Sequence, residues 1–203
     1  MSLEPANIEV VGGRLCLDFV NTRHSHFDPQ PRDYFGDYAD LLRWAQDCVG
    51  ALTPAQAQRL ARAARAHPRR AEAAMAEARA LRDRLYRVFE AAARDAAPAR
   101  ADLDALNRAL AEALAHRRLA PEAAWQWRWE PGDALELPLW QVLASAADLL
   151  TGDDLSRLKQ CPAPDGCGWL FYDTSKNRSR RWCSMRTCGN PAKVRRFQQR
   201  HRA

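Results

Sequence analysis

A mainly helical α+β fold is what this sequence predicts. An N-terminal β-hairpin and a tryptophan-rich strand pack on a helical body over residues 1–152, and a compact cysteine-bearing module follows over residues 153–203. Three observations carry that reading. Apolar residues recur at three- and four-residue spacing through most of the body, two short stretches alternate at period two instead, and four of the six cysteines fall in the interval 161–188. The 203 residues are 47% hydrophobic with a mean hydropathy of −0.52, and no apolar run approaches the ~20 residues a spanning helix needs, which excludes such a helix. Met1-Ser2-Leu3-Glu4-Pro5 carries an acid where a secretory leader has a basic segment, and no apolar stretch with a cleavage site follows. A cytoplasmic address is expected.

Taken in order, Ile8-Glu9-Val10-Val11 and Arg14-Leu15-Cys16-Leu17-Asp18-Phe19-Val20 flank Gly12-Gly13, the pattern of a hairpin closed by a two-residue turn, with Leu15, Leu17 and Phe19 on one face. A polar loop runs from Asn21 through Pro31. Tyr38, Leu41, Leu42, Ala45 and Val49 then mark a helix between Asp37 and Gly50, and Thr53-Pro54-Ala55-Gln56 is a capping box that opens a second, ending near His67. Pro68 restarts the chain into a long helix reaching about Asp95, with Ala71, Met75, Ala78, Leu81, Arg82, Leu85 and Phe89 on one stripe. Asp102 is expected to cap a helix carrying Leu103, Leu106, Leu110 and Leu114. Trp125, Trp127 and Trp129 alternate with Gln126 and Arg128 as a strand that presents three indoles to the core, and Pro138 to Leu150 is a further apolar helix. No Gly- or Ser-rich linker follows Thr151-Gly152-Asp153-Asp154, so the C-terminal module is expected to dock on the body.

Arg82 on the buried stripe demands an anionic partner, because an unpaired buried charge is costly; Asp18 is the candidate. Asp18, Asn21, His24 (or His26) and Arg82 form the candidate ligand-binding set for a small-molecule effector. The competing reading is an internal ion pair fixing the hairpin on the long helix. No Walker loop, G-x-G-x-x-G, H-E-x-x-H or G-x-S-x-G occurs, and no catalytic role is expected.

Charge divides the chain. Residues 157–203 hold twelve Lys and Arg against Asp165 and Asp173, a net +10, whereas the preceding residues sum to −4. Within the basic segment Cys161, Cys167, Cys183 and Cys188 have the spacing C-x5-C-x15-C-x4-C, two close pairs that can wrap a tetrahedral Zn2+. Disulfides are poorly motivated in a reducing cytoplasm, and Cys16 and Cys48 read as core. Lys159, Arg181 and Arg186 adjoin the ligands and can offset the thiolate charge, yet with the ion and four thiolates counted the segment keeps +8, a surplus for an external polyanion. Gly168 to Asp173 reads as an aromatic strand, Arg180 to Cys183 as its returning partner, and Asn190-Pro191 as the start of a helix. In that helix Val194 and Phe197 face inward, Lys193, Arg196 and Arg200 line one flank, and Arg195 and Arg202 line the other. The whole is a treble-clef-like zinc module. Lys176, Arg178, Arg180, Arg181, Lys193, Arg195, Arg196 and Arg200 are its candidate nucleic-acid contacts.

Cys167-Gly168-Trp169-Leu170-Phe171, Asn177-Arg178-Ser179-Arg180-Arg181-Trp182-Cys183-Ser184-Met185, Cys188-Gly189-Asn190 and Ala192-Lys193-Val194-Arg195-Arg196 together resemble the CGNR zinc finger. Gly12 to Thr22 is similar to the opening of ABATE domains, which precede that finger in bacterial proteins regarded as stress-induced transcription regulators. The resemblance implies DNA as partner, Zn2+ as cofactor and an N-terminal domain that senses or dimerises. Two departures stand out: Pro191 replaces the arginine that completes the family motif, removing a cation while suiting a helix start, and the first cysteine pair is one residue longer. A single small finger offers little contact area, so specificity calls for a homodimer reading two half-sites. Two other readings stay open, a zinc-scaffolded module that meets an acidic protein or structured RNA, and an enzyme with its pocket between the tryptophan strand and Asp18. Four thiolates leave no open metal position for catalysis.

Overall fold

The computed structural model describes residues 8–24, 26–27, 32–121, 124–130, 132–163 and 166–200. Residues 25 and 28–31 of the polar loop expected from Asn21 through Pro31, and the flank residue Arg202, lie outside them. The mainly helical α+β class holds, but the chain enters it differently from the expected hairpin: the run after Gly13 is helix α1 (Leu15–Val20), not a strand. Its apolar residues are nearly continuous, and Cys16, Leu17, Phe19 and Val20 are fully buried on all sides, a circumstance in which period two cannot separate a strand from a buried helix. Gly12 packs over this helix so closely that a Cβ would meet Leu17 Cβ and Asp18 N at 2.8 Å, and Gly13 at φ 76 completes the reversal.

α1 sits at the centre. Against it lie α6 (Leu137–Gly152), α4 (Pro68–Ala93) and the finger strand β6 (Leu170–Tyr172). Between α1 and α4, β1 (Arg23–His24) pairs antiparallel with β2 (Arg32–Asp33) in the register Arg23↔Asp33, and Phe19, Phe35 and the fully buried Trp44 cluster with ring centroids 5.6 to 6.3 Å apart. Helix α2 (Tyr38–Arg43) is capped reciprocally by Asp37 and Asp40 and winds into a π turn over Trp44–Cys48. The Thr53 and Gln56 capping box starts α3 (Pro54–Ala66), as its sequence requires. Helix α4 buries Ala74, Met75, Ala78, Leu81, Arg82, Leu85, Val88 and Phe89. In α5 (Arg100–Ala115), Asp102 does not cap: it lies in the first turn, and its carboxylate receives Arg87 at 2.6 Å.

The burial of one strand and the pairing of another differ from expectation. The tryptophan strand β4 (Trp125–Trp129) pairs with β3 (Arg117–Pro121), but Trp129 alone of its indoles packs inward, 6.1 Å from Trp140; Trp125 is 72% and Trp127 54% exposed. Only the end of the ribbon that carries Trp129 lies beside Trp140 of α6 and reaches the core. In the C-terminal part, β6 pairs with β5 (Leu158–Gln160), in the register Lys159↔Phe171, and not with the segment 180–183. That segment instead crosses the sheet edge, held by Lys159, whose ammonium donates to the carbonyls of Arg178 at 2.6 Å and Arg180 at 3.1 Å.

The module is welded to the body. Tyr172 N–H donates to Gly12 O at 2.8 Å, and the fully buried Asn21 side chain closes a two-bond bridge with Leu170, accepting its N–H at 3.0 Å and donating to its carbonyl at 2.8 Å. Leu158, Cys161, Leu170 and Phe171 belong to the same apolar core as α1, α4 and α6. No described helix is long and apolar enough to cross a membrane.

Candidate metal centre and basic surface

Two tight turns bring the four finger cysteines together. Cys161 leaves β5 with its N–H on Trp169 O at 2.8 Å, and Cys167 sits between Gly166 (φ 80) and Gly168 (φ 65), positive dihedrals that aim its sulfur back at Cys161. Cys183 and Cys188 flank a second turn, in which Ser184 accepts the N–H of Thr187 through its hydroxyl and that of Cys188 through its carbonyl, opening a π turn over Met185–Gly189. All four Sγ atoms lie within 4.8 Å of one another, with Cys167–Cys183 and Cys183–Cys188 both at 3.6 Å. A tetrahedral ion with metal–sulfur bonds near 2.3 Å requires sulfur–sulfur edges of about 3.8 Å. A disulfide needs ~2.05 Å. The quartet therefore fits a four-thiolate zinc site and no disulfide.

The four sulfurs also perturb one another's protonation. Hydrogen bonds from Cys167, Cys183 and Cys188 pull the Cys161 thiol down, while the sulfurs of Cys161, Cys167 and Cys188 push Cys183 far up. Four thiolates this close cannot all ionise unaided, whereas a bound dication stabilises each of them. Zinc held here would supply a crosslink between the two turns.

The neighbouring cations divide into two groups. Lys159 faces the fully buried Asp173 at 2.6 Å, Arg186 is paired with Glu9, and Arg180 lies 4.4 Å over the Phe171 ring while donating to the carbonyls of Val11, Trp182 and Cys183. Lys159 serves the finger's own framework, and Arg180 and Arg186 also tie the finger to the N-terminal segment at Val11 and Glu9. Lys176, Arg178 and Arg181 are exposed, Arg178 touching Asp154 at 2.9 Å and Arg181 lying 5.1 Å over the Trp182 ring. Helix α7 (Asn190–Arg200) buries none of its residues, so Lys193, Arg195, Arg196 and Arg200 all face solvent. Val194 (54% exposed) and Phe197 (63% exposed) are not packed into the buried core as expected; among the described elements α7 packs chiefly against the preceding π turn.

The N-terminal candidates do not form one constellation. Arg82 finds its anion in Asp33, a residue the sequence reading passed over, with Nη1 at 2.7 Å from Oδ1 and a second bond from Nη2, and it also donates to Thr22 Oγ1 at 3.1 Å. Asp18 instead accepts the Gly12 N–H at 2.7 Å. Burial with little compensating charge pushes its carboxyl up to about 6. Asn21 is the bridge to Leu170, and the His24 ring lies 6.5 Å from that of Trp169. His26 stacks on Tyr86 at 3.7 Å. Asp173 was equally unmarked, although an acid in a segment holding twelve cations is the residue most certain to be claimed by one of them.

Comparison with known families assigns both parts. The ABATE profile, described as a putative stress-induced transcription regulator, matches residues 13–153, and the CGNR zinc finger profile matches residues 157–201. No curated protein matches the chain in sequence. With more than half its length under the first profile and the sulfur quartet under the second, the chain belongs to the ABATE family and carries a CGNR zinc finger at its C-terminal end.

Proposed function

We propose that this protein is a transcriptional regulator whose Zn2+-pinned finger holds DNA while the ABATE body senses a signal or brings two copies together. The observation that carries the reading is α7: eleven residues, none buried, with Lys193, Arg195, Arg196 and Arg200 and no acid among them. A helix with side chains is ~10–12 Å across, the width of the DNA major groove. A cationic rod with an exposed face can enter such a groove, its arginines and lysine meeting phosphates and Phe197 offering an apolar contact to a thymine methyl. Zinc fixes the end from which this rod projects. Lys176, Arg178 and Arg181, exposed within the finger between its two cysteine pairs, add further cations for a phosphate backbone. A dimer would double the contact area and read two half-sites.

Salt dependence tests this reading. Anisotropy titrations of the zinc-loaded chain on a random-sequence DNA duplex should give a log–log salt slope near −0.9 per phosphate neutralised, so that Lys193→Ala and Arg196→Ala each shallow it by about 1. Binding that is indifferent to salt, or variants with the parental slope, would remove α7 from the interface. A matched RNA duplex in the same titration separates DNA recognition from a structured-RNA partner.

A further inference from the structure

A crease runs along the junction of body and finger, where the C-terminal end of α4 meets α6, the turn after α6 and β5. At its wide end is a cavity of about 890 Å³ against Val88, Leu103, Leu150, Leu155 and Leu158. Ala93, Ser156 and Leu158 also line a second hollow of about 490 Å³, which continues the crease to Lys159, Arg180 and Arg181 on the finger. The two ends differ in chemistry. Leu103 is 39% exposed, and Leu150 and Leu155 are half-buried, so the fold leaves an apolar trough open on one side. At the other end Lys159 is already neutralised by Asp173 and Arg180 is spent on carbonyls, but both keep their charge near the crease, and Arg181 adds an exposed guanidinium. Arg94 and Asp95 both line the wide end, Arg94 bonded to Glu90 at 2.8 Å and to Gln160 at 3.3 Å.

We propose that this crease is a binding site for an amphipathic carboxylate, an apolar chain or ring system lying in the trough of Leu103, Leu150 and Leu155 with its anionic end toward Arg181. The cavity is of the size that encloses a small molecule, and it lies between two parts of the chain, where such sites concentrate. Charge sets the orientation: at the wide end Arg94 is offset by Glu90 and Asp95, whereas the narrow end adds the exposed Arg181 on the finger, which attracts the carboxylate. As the sensing site of the regulator this inference rests on the DNA-binding reading, because the ligand touches the finger and the body at once; as a binding site it does not.

Calorimetry on the zinc-loaded full chain, without DNA and below micellar concentrations, decides it with three probes of equal chain length: decanoate, 1-decanol and decylamine. Decanoate should bind saturably at one site per chain, 1-decanol at least fivefold more weakly, and decylamine more weakly still. Leu103→Asp, at an exposed position that leaves the fold intact, should weaken decanoate and decanol by tenfold or more, and Arg181→Gln should bring decanoate down to the affinity of decanol while leaving decanol unchanged. Equal affinity for all three amphiphiles, no saturable site, or indifference to Leu103→Asp overturns the proposal. Decanoate binding in a chain that fails the DNA titration would leave the site standing and remove only the regulator.

Discussion

Two buried aspartates show how neighbours decide what a charge does. Asp18 is 6% exposed and Asp173 is fully buried, yet their carboxyls shift in opposite directions. Burial alone raises both. Asp18 has the Gly12 N–H as its close donor and rises from an ordinary 3.8 to about 6, whereas Asp173 receives Lys159, the Ser175 hydroxyl and backbone N–H, and the Arg180 N–H, which together outweigh burial and hold it well below the usual range. The signs for stability follow. A raised folded-state value means that the contribution of Asp18 is complete below pH 3.8 and is lost as pH rises through about 6. Asp18→Asn, which keeps an oxygen for Gly12, should therefore match or exceed the parent by about 1–2 kcal/mol at pH 8 and lose that advantage at pH 4, as read from urea midpoints. Asp173 works the other way: its contribution is complete above pH 3.8 and fades as pH falls from there toward its much lower folded-state value, so Asp173→Asn should cost about 3 kcal/mol at pH 7 and about 1 kcal/mol less near pH 3. A flat difference across pH for either variant would contradict the assigned environment.

At the scale of elements, legibility tracked where the information resides. Thr53-Pro54-Ala55-Gln56 contains its whole instruction in four residues, and α3 begins there; the stripe on α4 is long enough for its period to be unambiguous. The quartet Cys161, Cys167, Cys183 and Cys188 was readable for the same reason, since a tetrahedral site restricts both residue type and spacing. Pairings with distant parts of the chain were not local. Whether Leu15–Val20 is strand or helix depends on being enclosed by α4, α6 and β6, and whether β6 pairs with 158–160 or 180–183 depends on Lys159 holding the latter at the edge. Arg82 advertised its need for an anion but not that Asp33, set beside it by the β1–β2 pair, would answer. The β3–β4 ribbon shows a third limit, for alternation tells which side chains share a face and not whether anything lies opposite. That difference is measurable. Trp125→Ser should change stability by less than about 0.5 kcal/mol, as a solvent-exposed site does, whereas Trp129→Ser, which removes the indole beside Trp140, should cost about 2–3 kcal/mol in the same urea titration. Equal costs would mean that the outer half of the ribbon is covered.

For the whole molecule the decisive feature is that the two family segments do not have separate cores. Leu158, Leu170 and Phe171 of the finger pack in the cluster that holds Phe19, Leu85 and Leu149 of the body, and the Asn21 bridge to Leu170 and the Tyr172 bond to Gly12 join their backbones. Were the finger an appendage, loss of its metal would loosen residues after 157 and leave the body as it was. A shared core predicts otherwise. Cys183→Ser breaks the quartet, so elemental analysis should fall from one zinc per chain to near none. The finger turns then lose their crosslink, Cys161 and Phe171 lose a fixed position, and the cost is felt by α1 and α4 through the contacts they share with β6. With ~2–4 °C of melting temperature per kcal/mol for a chain this long, and a few kcal/mol at stake, one calorimetric transition should move down by about 10 °C and remain single. Two transitions, the upper one at the parental temperature, would show that the body stands alone and that the continuity of packing across residue 157 carries no cooperativity.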